Sequence, residues 1–174
     1  TEVKLTVINH HKAEKSLMDI GYKFISINSN MGYAGVMIAS KYENAIPIPV
    51  HGLPKENPDT QEPRVITVAF EDLSLIVGGI YIPFYNPDHS DRSERLENFY
   101  NFYLPYMDKL LAIAKARKTA VAIVGDFQVT PTALDHTDNA DPNGPGATDI
   151  ERQYYQKILD LGLTDTYRVL HPNT

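Results

Sequence analysis

The chain has 174 residues, 43% of them hydrophobic, which is enough for one domain with a buried core. Its 16 Lys and Arg face 22 Asp and Glu, for a net charge of −6 and a pI of about 5.4. That balance disfavours attachment to nucleic acid through bulk positive charge, but not an enzyme whose carboxylates collect a metal that then meets phosphate. The absence of cysteine excludes disulfides, zinc–thiolate sites and thiol catalysis.

In chain order, Lys12 to Ile20 carries Ala13, Leu17, Met18 and Ile20 as apolar positions before Gly21, and reads as a helix with a glycine stop. "YKFISIN", Tyr22 to Asn28, alternates as a half-buried strand. A turn over Ser29 to Gly32 leads to "AGVMIAS", Ala34 to Ser40, as a second strand. Pro47, Pro49, Pro54, Pro58 and Pro63 mark an extended connection that is not sheet interior. "RVITVAF" and "LSLIVGGIYI" then flank Glu71–Asp72 as a hairpin.

Ser93 to Lys118 is the main helical segment, with Leu96, Phe99, Tyr100, Tyr103, Met107, Leu110, Leu111 and Ala114 as a packing stripe. Pro105 should kink or divide it. "AVAIVGD", Ala120 to Asp126, reads as a buried strand delivering a carboxylate to its end. A polar loop, "HTDNADPNGPG", precedes Thr148 and Glu151, which have capping-box spacing. The helix they open runs through "RQYYQKILDL" to a stop at Gly162. Alternating strands and helices imply a layered α/β fold in a single domain over residues 1–174. With no signal-peptide pattern and no apolar run of spanning length, a cytoplasmic protein with no membrane partner is expected. The histidines have no metal-ligand spacing.

Read together, "GYAGVMIASK", "IYIPFYN", "IVGDFQVTPTALD", "GATDIERQYY" and "LDLGLTDTYRVLHP" resemble the exonuclease III and abasic-site (AP) endonuclease family, in order and approximate spacing. That family belongs to the wider endonuclease/exonuclease/phosphatase group. The resemblance implies a four-layered α/β sandwich, here lacking its first and last strands. It implies magnesium- or manganese-dependent hydrolysis of phosphodiester bonds at abasic sites or 3′ ends, with DNA as partner.

Carried over by position, "TEVK" resembles the stretch whose glutamate binds the catalytic magnesium, which would be Glu2. Tyr81 in "IYIP" resembles the tyrosine that contacts the scissile phosphate. Asp126 matches the aspartate that orients the attacking water and lies beside the metal. Taken alone, the same residues also read as a solvated terminal charge, a half-buried sheet tyrosine and a turn or N-cap aspartate. Thr148, Glu151 and Arg152 match a stretch read as structural, as do Asp165 and Arg168, expected to tie a helix end to the sheet.

The sequence departs from the family's pattern in places. Gln128 stands where the family has an asparagine that bonds the phosphate, offering the same amide on a longer stem. Gly79 replaces an asparagine shortly before the tyrosine, weakening local phosphate contacts. The family's final Asp-His pair has no counterpart, so impaired activity is expected. Two other readings stay open: a non-catalytic remnant serving as a binding or assembly module, self-associating through open sheet edges, and a phosphomonoesterase of the same wider group.

Overall fold

The computed structural model describes residues 1–29, 32–51, 64–83, 96, 98–136, 141 and 144–173. Pro54, Pro58 and Pro63, the start of the expected long helix, and part of the polar loop fall outside them. The described residues form two compact units, Thr1–Ile82 with Asp108–Phe127, and Pro83–Met107 with Gln128–Thr174.

The first unit opens with helix α1 (His10–Asp19), which ends before Gly21. Strands β1 (Phe24–Asn28) and β2 (Val36–Ser40) pair antiparallel as a two-stranded sheet. A second sheet has four strands in the order β3 (Ala45–Pro47), β4 (Val65–Phe70), β5 (Leu75–Tyr81) and β6 (Ala120–Asp126). Pro47 sits in edge strand β3, where its missing N–H costs no ladder bond. β4 and β5 form the expected antiparallel hairpin, turned by Glu71–Leu73 and by Ser74 in the left-handed region at φ 48°.

The sheets stack. Phe24 meets Phe70 edge-on at 6.5 Å, and Asn28 donates to the Val65 carbonyl at 2.7 Å. Val68, Ile76 and Ile80 are fully covered. Gly79 has a packing reason: a Cβ there would stand 2.7 Å from Ile66 Cγ2 and 3.8 Å from Ile38, so a side chain of asparagine's size has no room.

Strand β6 corrects an expectation. It joins β5 in parallel but is outermost in the sheet order, and Val124 is 50% exposed rather than buried. An unbroken apolar run reports that polar alternation is missing; it does not report which neighbours cover the strand.

A π-helical stretch, Phe99–Tyr103, runs directly into α2 (Leu104–Arg117), with Pro105 in the first turn. The wide turn accommodates the proline and shifts the phase of the apolar stripe. Tyr100, expected in the core, is 40% exposed, whereas Phe102 and Tyr106 are buried beside Tyr103 and Met107 in sequence. Of this segment the second unit takes Phe99–Met107, and it contains α3 (Asp149–Asp160) and α4 (Thr166–Leu170). Phe99 stacks on Tyr154 of α3 at 5.0 Å. No described helix is long and apolar enough to cross a membrane.

Candidate active site

The strand-end carboxylate is delivered by a backbone contact. β6 pairs with β5 so that Gly125 faces Ile80 and Asp126 faces Tyr81. Gly125 has φ +149°, and a Cβ on it would lie 1.9 Å from the Ile80 carbonyl oxygen. Only glycine allows that approach. Pairing continues one step further, with the Ile82 N–H donating to the Asp126 carbonyl at 2.9 Å. Facing residues of neighbouring strands put their side chains on one side of the sheet, so Asp126 and Tyr81 share a face.

Glu2 reaches this place because the chain start is tethered. The Val3 N–H donates to the Gly35 carbonyl at 2.8 Å, and the Gly35 N–H returns a bond at 3.2 Å. The Ser29 hydroxyl donates to the Leu5 carbonyl at 2.6 Å. From that anchor Glu2, at φ +53°, accepts a 2.8 Å hydrogen bond from the Tyr81 hydroxyl through Oε1. Glu2 is therefore not a frayed terminal charge, although its side chain is exposed.

Tyr81 lies at the centre of this cluster. Burial, then the hydrogen bond and charge of Glu2, push its pKa up to about 12, and the Asp126 charge acts in the same direction. Arg64 opposes them, its guanidinium 5.0 Å from the ring centroid. At neutral pH the phenol keeps its proton and remains a donor. Sequence reading missed Arg64. The signal was the hairpin register: the Tyr81 N–H donates to the Arg64 carbonyl at 2.9 Å, which makes the two cross-strand neighbours.

The structure thus brings Glu2, Tyr81 and Asp126 together. Gln128 follows Asp126 by two residues and belongs to the second unit. Its backbone is left-handed, at φ +51°. Asparagine enters that region several-fold more readily than most residues, so Gln differs from Asn in backbone preference as well as in reach.

The residues read as structural have the following partners. Buried Glu151 accepts on Oε2 from the Gly146 N–H at 2.9 Å, the Thr148 hydroxyl at 2.7 Å and the Thr148 N–H at 3.3 Å. Arg152 donates from Nε to the Thr130 carbonyl at 3.2 Å and stands 3.8 Å from Asp149. Asp165 caps α4 by accepting from the Arg168 N–H at 3.0 Å, and it accepts from the Tyr155 hydroxyl at 2.6 Å. Arg168 pairs with Asp135 and donates to the His171 carbonyl at 3.2 Å. Through these partners Asp165 and Arg168 join α4 to α3 and to the Thr132–His136 turn.

Among the described residues no group of three His, Asp or Glu could hold a metal ion. The hard oxygen donors near Tyr81 are the pair Glu2 and Asp126.

The stacked sheets and helices match the endonuclease/exonuclease/phosphatase fold of the solved structures that superpose on the chain. The solved 3′-5′ exonuclease NExo from Neisseria meningitidis superposes with a TM-score of 0.76 at 26% identity, covering 99% of this chain and 63% of that one. A structure of the Neisseria 3′ phosphatase NExo bound to a product DNA hairpin superposes at 0.74, 25% identical, with the same coverage. In sequence, the exodeoxyribonuclease of Bacillus subtilis is 29% identical over 144 residues, 82% of this chain and 52% of that protein. The DNA repair nuclease APEX1 of Danio rerio is 31% identical over 144 residues, 82% of this chain and 43% of that protein. No protein-family profile matches the chain. In both sequence and structure the chain is similar to proteins of the exonuclease III and AP endonuclease family, and it spans about half the length of the curated relatives it matches.

Proposed function

We propose that the chain hydrolyses phosphodiester bonds of DNA at abasic sites or 3′ ends, with Mg2+ or Mn2+. The observation that carries this reading is the Tyr81 hydroxyl bonded to Glu2 at one sheet end, on the residue that faces Asp126 across the β5–β6 pair. Glu2 and Asp126 would hold the cation, which supplies charge neutralisation at phosphate. Two carboxylates form a thin ligand set of the kind a small hard cation accepts while keeping several waters.

Asp126 takes the proton of the attacking water, a role that suits a half-buried carboxylate at a strand end. On binding, the one hydroxyl hydrogen of Tyr81 would pass from Glu2 to a phosphate oxygen, and Gln128 would offer a second donor through its amide. The longer Gln128 stem makes turnover slow, because misplacement near 1 Å costs roughly a hundredfold. The test is cleavage of an abasic-site duplex with and without Mg2+, comparing the chain with Asp126→Asn. Metal-independent cleavage, or cleavage equal in both proteins, would refute the reading.

Two further readings each rest on one observation. The solved Neisseria relative described as a 3′ phosphatase supports phosphate removal from 3′ ends, and a 3′-phosphate oligonucleotide separates that reaction from strand cleavage. The half-exposed Val124 on the outermost strand β6 supports a binding or assembly module without cleavage. A monomer by light scattering over a wide concentration range would count against that module.

A further inference from the structure

The backbone of Gln128 is disfavoured for its residue type, and such conformations persist only where their surroundings over-determine them. The surroundings are visible within the second unit. The Thr130 N–H donates to the Gly146 carbonyl at 2.7 Å. Gly146, at φ +84°, lies so close that a Cβ on it would stand 3.0 Å from the Gln128 carbonyl oxygen and 3.7 Å from Val129 Cα. Gly146 is fixed in turn from below, its N–H held by Glu151, which is only 2% exposed. The residue after Glu151 closes the strap from the other side, with Arg152 Nε on the Thr130 carbonyl.

From this geometry we propose that Glu151 and Gly146 are positioning residues for Gln128. One buried carboxylate oxygen fixes Gly146, and Gly146 holds residues 128–130 in the strained conformation that aims the Gln128 amide. Thr148 serves the same oxygen: its N–H and hydroxyl both donate to it, so helix α3 starts from the point that locks the loop. The capping box and the aim of a substrate-contacting amide are then a single device. This inference rests on the proposed role of Gln128 at the phosphate.

The experiment compares Gln128→Ala, Glu151→Ala and Glu151→Gln in Mg2+-dependent cleavage of an abasic-site duplex, alongside amide exchange at Thr130 and at Val77 in β5. Glu151→Gln keeps an acceptor oxygen and should stay within about threefold of the parent. Glu151→Ala should lower kcat by roughly ten- to a hundredfold with KM within about threefold, since the loss is one of aim. It should also accelerate exchange at Thr130 while leaving Val77 unchanged. If Glu151→Ala does not fold, Gly146→Ala replaces it with the same expected split.

Equal acceleration at Thr130 and Val77 would overturn the proposal, because Glu151 would then serve general stability alone. So would an undiminished kcat in Glu151→Ala when Gln128→Ala lowers it, a result that leaves the role of Gln128 standing. An undiminished kcat in Gln128→Ala would remove that role and the proposal with it. If the parent chain cleaves nothing, the proposed function falls and the exchange comparison alone decides the strap.

Discussion

Two glutamates at opposite ends of the sequence show how differently a carboxylate can be held. Glu151 is buried, with Gly146 and Thr148 supplying three donors to a single oxygen. Glu2 is exposed and takes a hydrogen bond from Tyr81. A buried carboxylate that takes up amide and hydroxyl donors is closed to a solvated ligand, whereas one at a sheet end with solvent access can take a cation. The first kind holds a loop in place; the second is available for chemistry.

The sharpest way to break this contrast is at Asp126. Asp126→Asn keeps shape but removes the proposed base, so if that reading holds cleavage should fall by roughly 10²–10⁴-fold. Denaturant midpoints should barely move, and a large loss of stability would mean that Asp126 holds structure as Glu151 does.

Next comes a paired stability measurement by urea denaturation. Glu151→Ala leaves buried donors unpaired and should cost about 1–3 kcal/mol. Glu2→Ala should cost less than about 0.5 kcal/mol, as exposed substitutions do. Equal losses would erase the distinction between the two glutamates.

A smaller effect is expected at Gln128. Asparagine tolerates the left-handed backbone better, so Gln128→Asn should stabilise by a few tenths to about 1 kcal/mol. No gain would mean that the loop has adapted to glutamine.

The smallest effect is a pH dependence. Tyr81 is raised by burial and by Glu2 to about 12 from its ordinary 10.0. A raised pKa contributes stability that is complete below about pH 10 and disappears as pH climbs toward 12. Tyr81→Phe should remove that alkaline loss. Glu2→Gln should bring the phenol's ionisation back toward 10.0, read by difference absorbance in the ultraviolet. An unchanged ionisation would detach Glu2 from the tyrosine.

Much of this was legible in the residues. Alternation gave β1 and the β4–β5 hairpin, capping spacing gave the start of α3, and five ordered motifs gave the family. The Gly–Asp pair marked the right strand end, though not the reason: the 1.9 Å approach to Ile80 depends on a partner strand that no local pattern names. What stayed hidden depends on quantities a letter does not carry. The φ of Gln128 is set by the loop across from it, and the role of Arg64 follows from strand register. The exposure of β6 follows from sheet order, and the displaced stripe at Tyr106 from one wide helical turn.

The pairing of β5 with β6 also bears on when the site comes into being. Antiparallel β4 and β5 can zip from a short turn, but parallel strands must wait for a crossover, and here α2 lies between them in the chain. The bond from Tyr81 to Glu2 closes an even longer span, 79 residues. Loop-closure entropy delays such contacts until local structure is in place. The hairpin can therefore form early and present Tyr81 alone, with Asp126 and Glu2 arriving only as the last long-range contacts close. A nascent or partly unfolded chain would carry the tyrosine without its carboxylates, so the three-residue cluster would be complete only at a late step of folding.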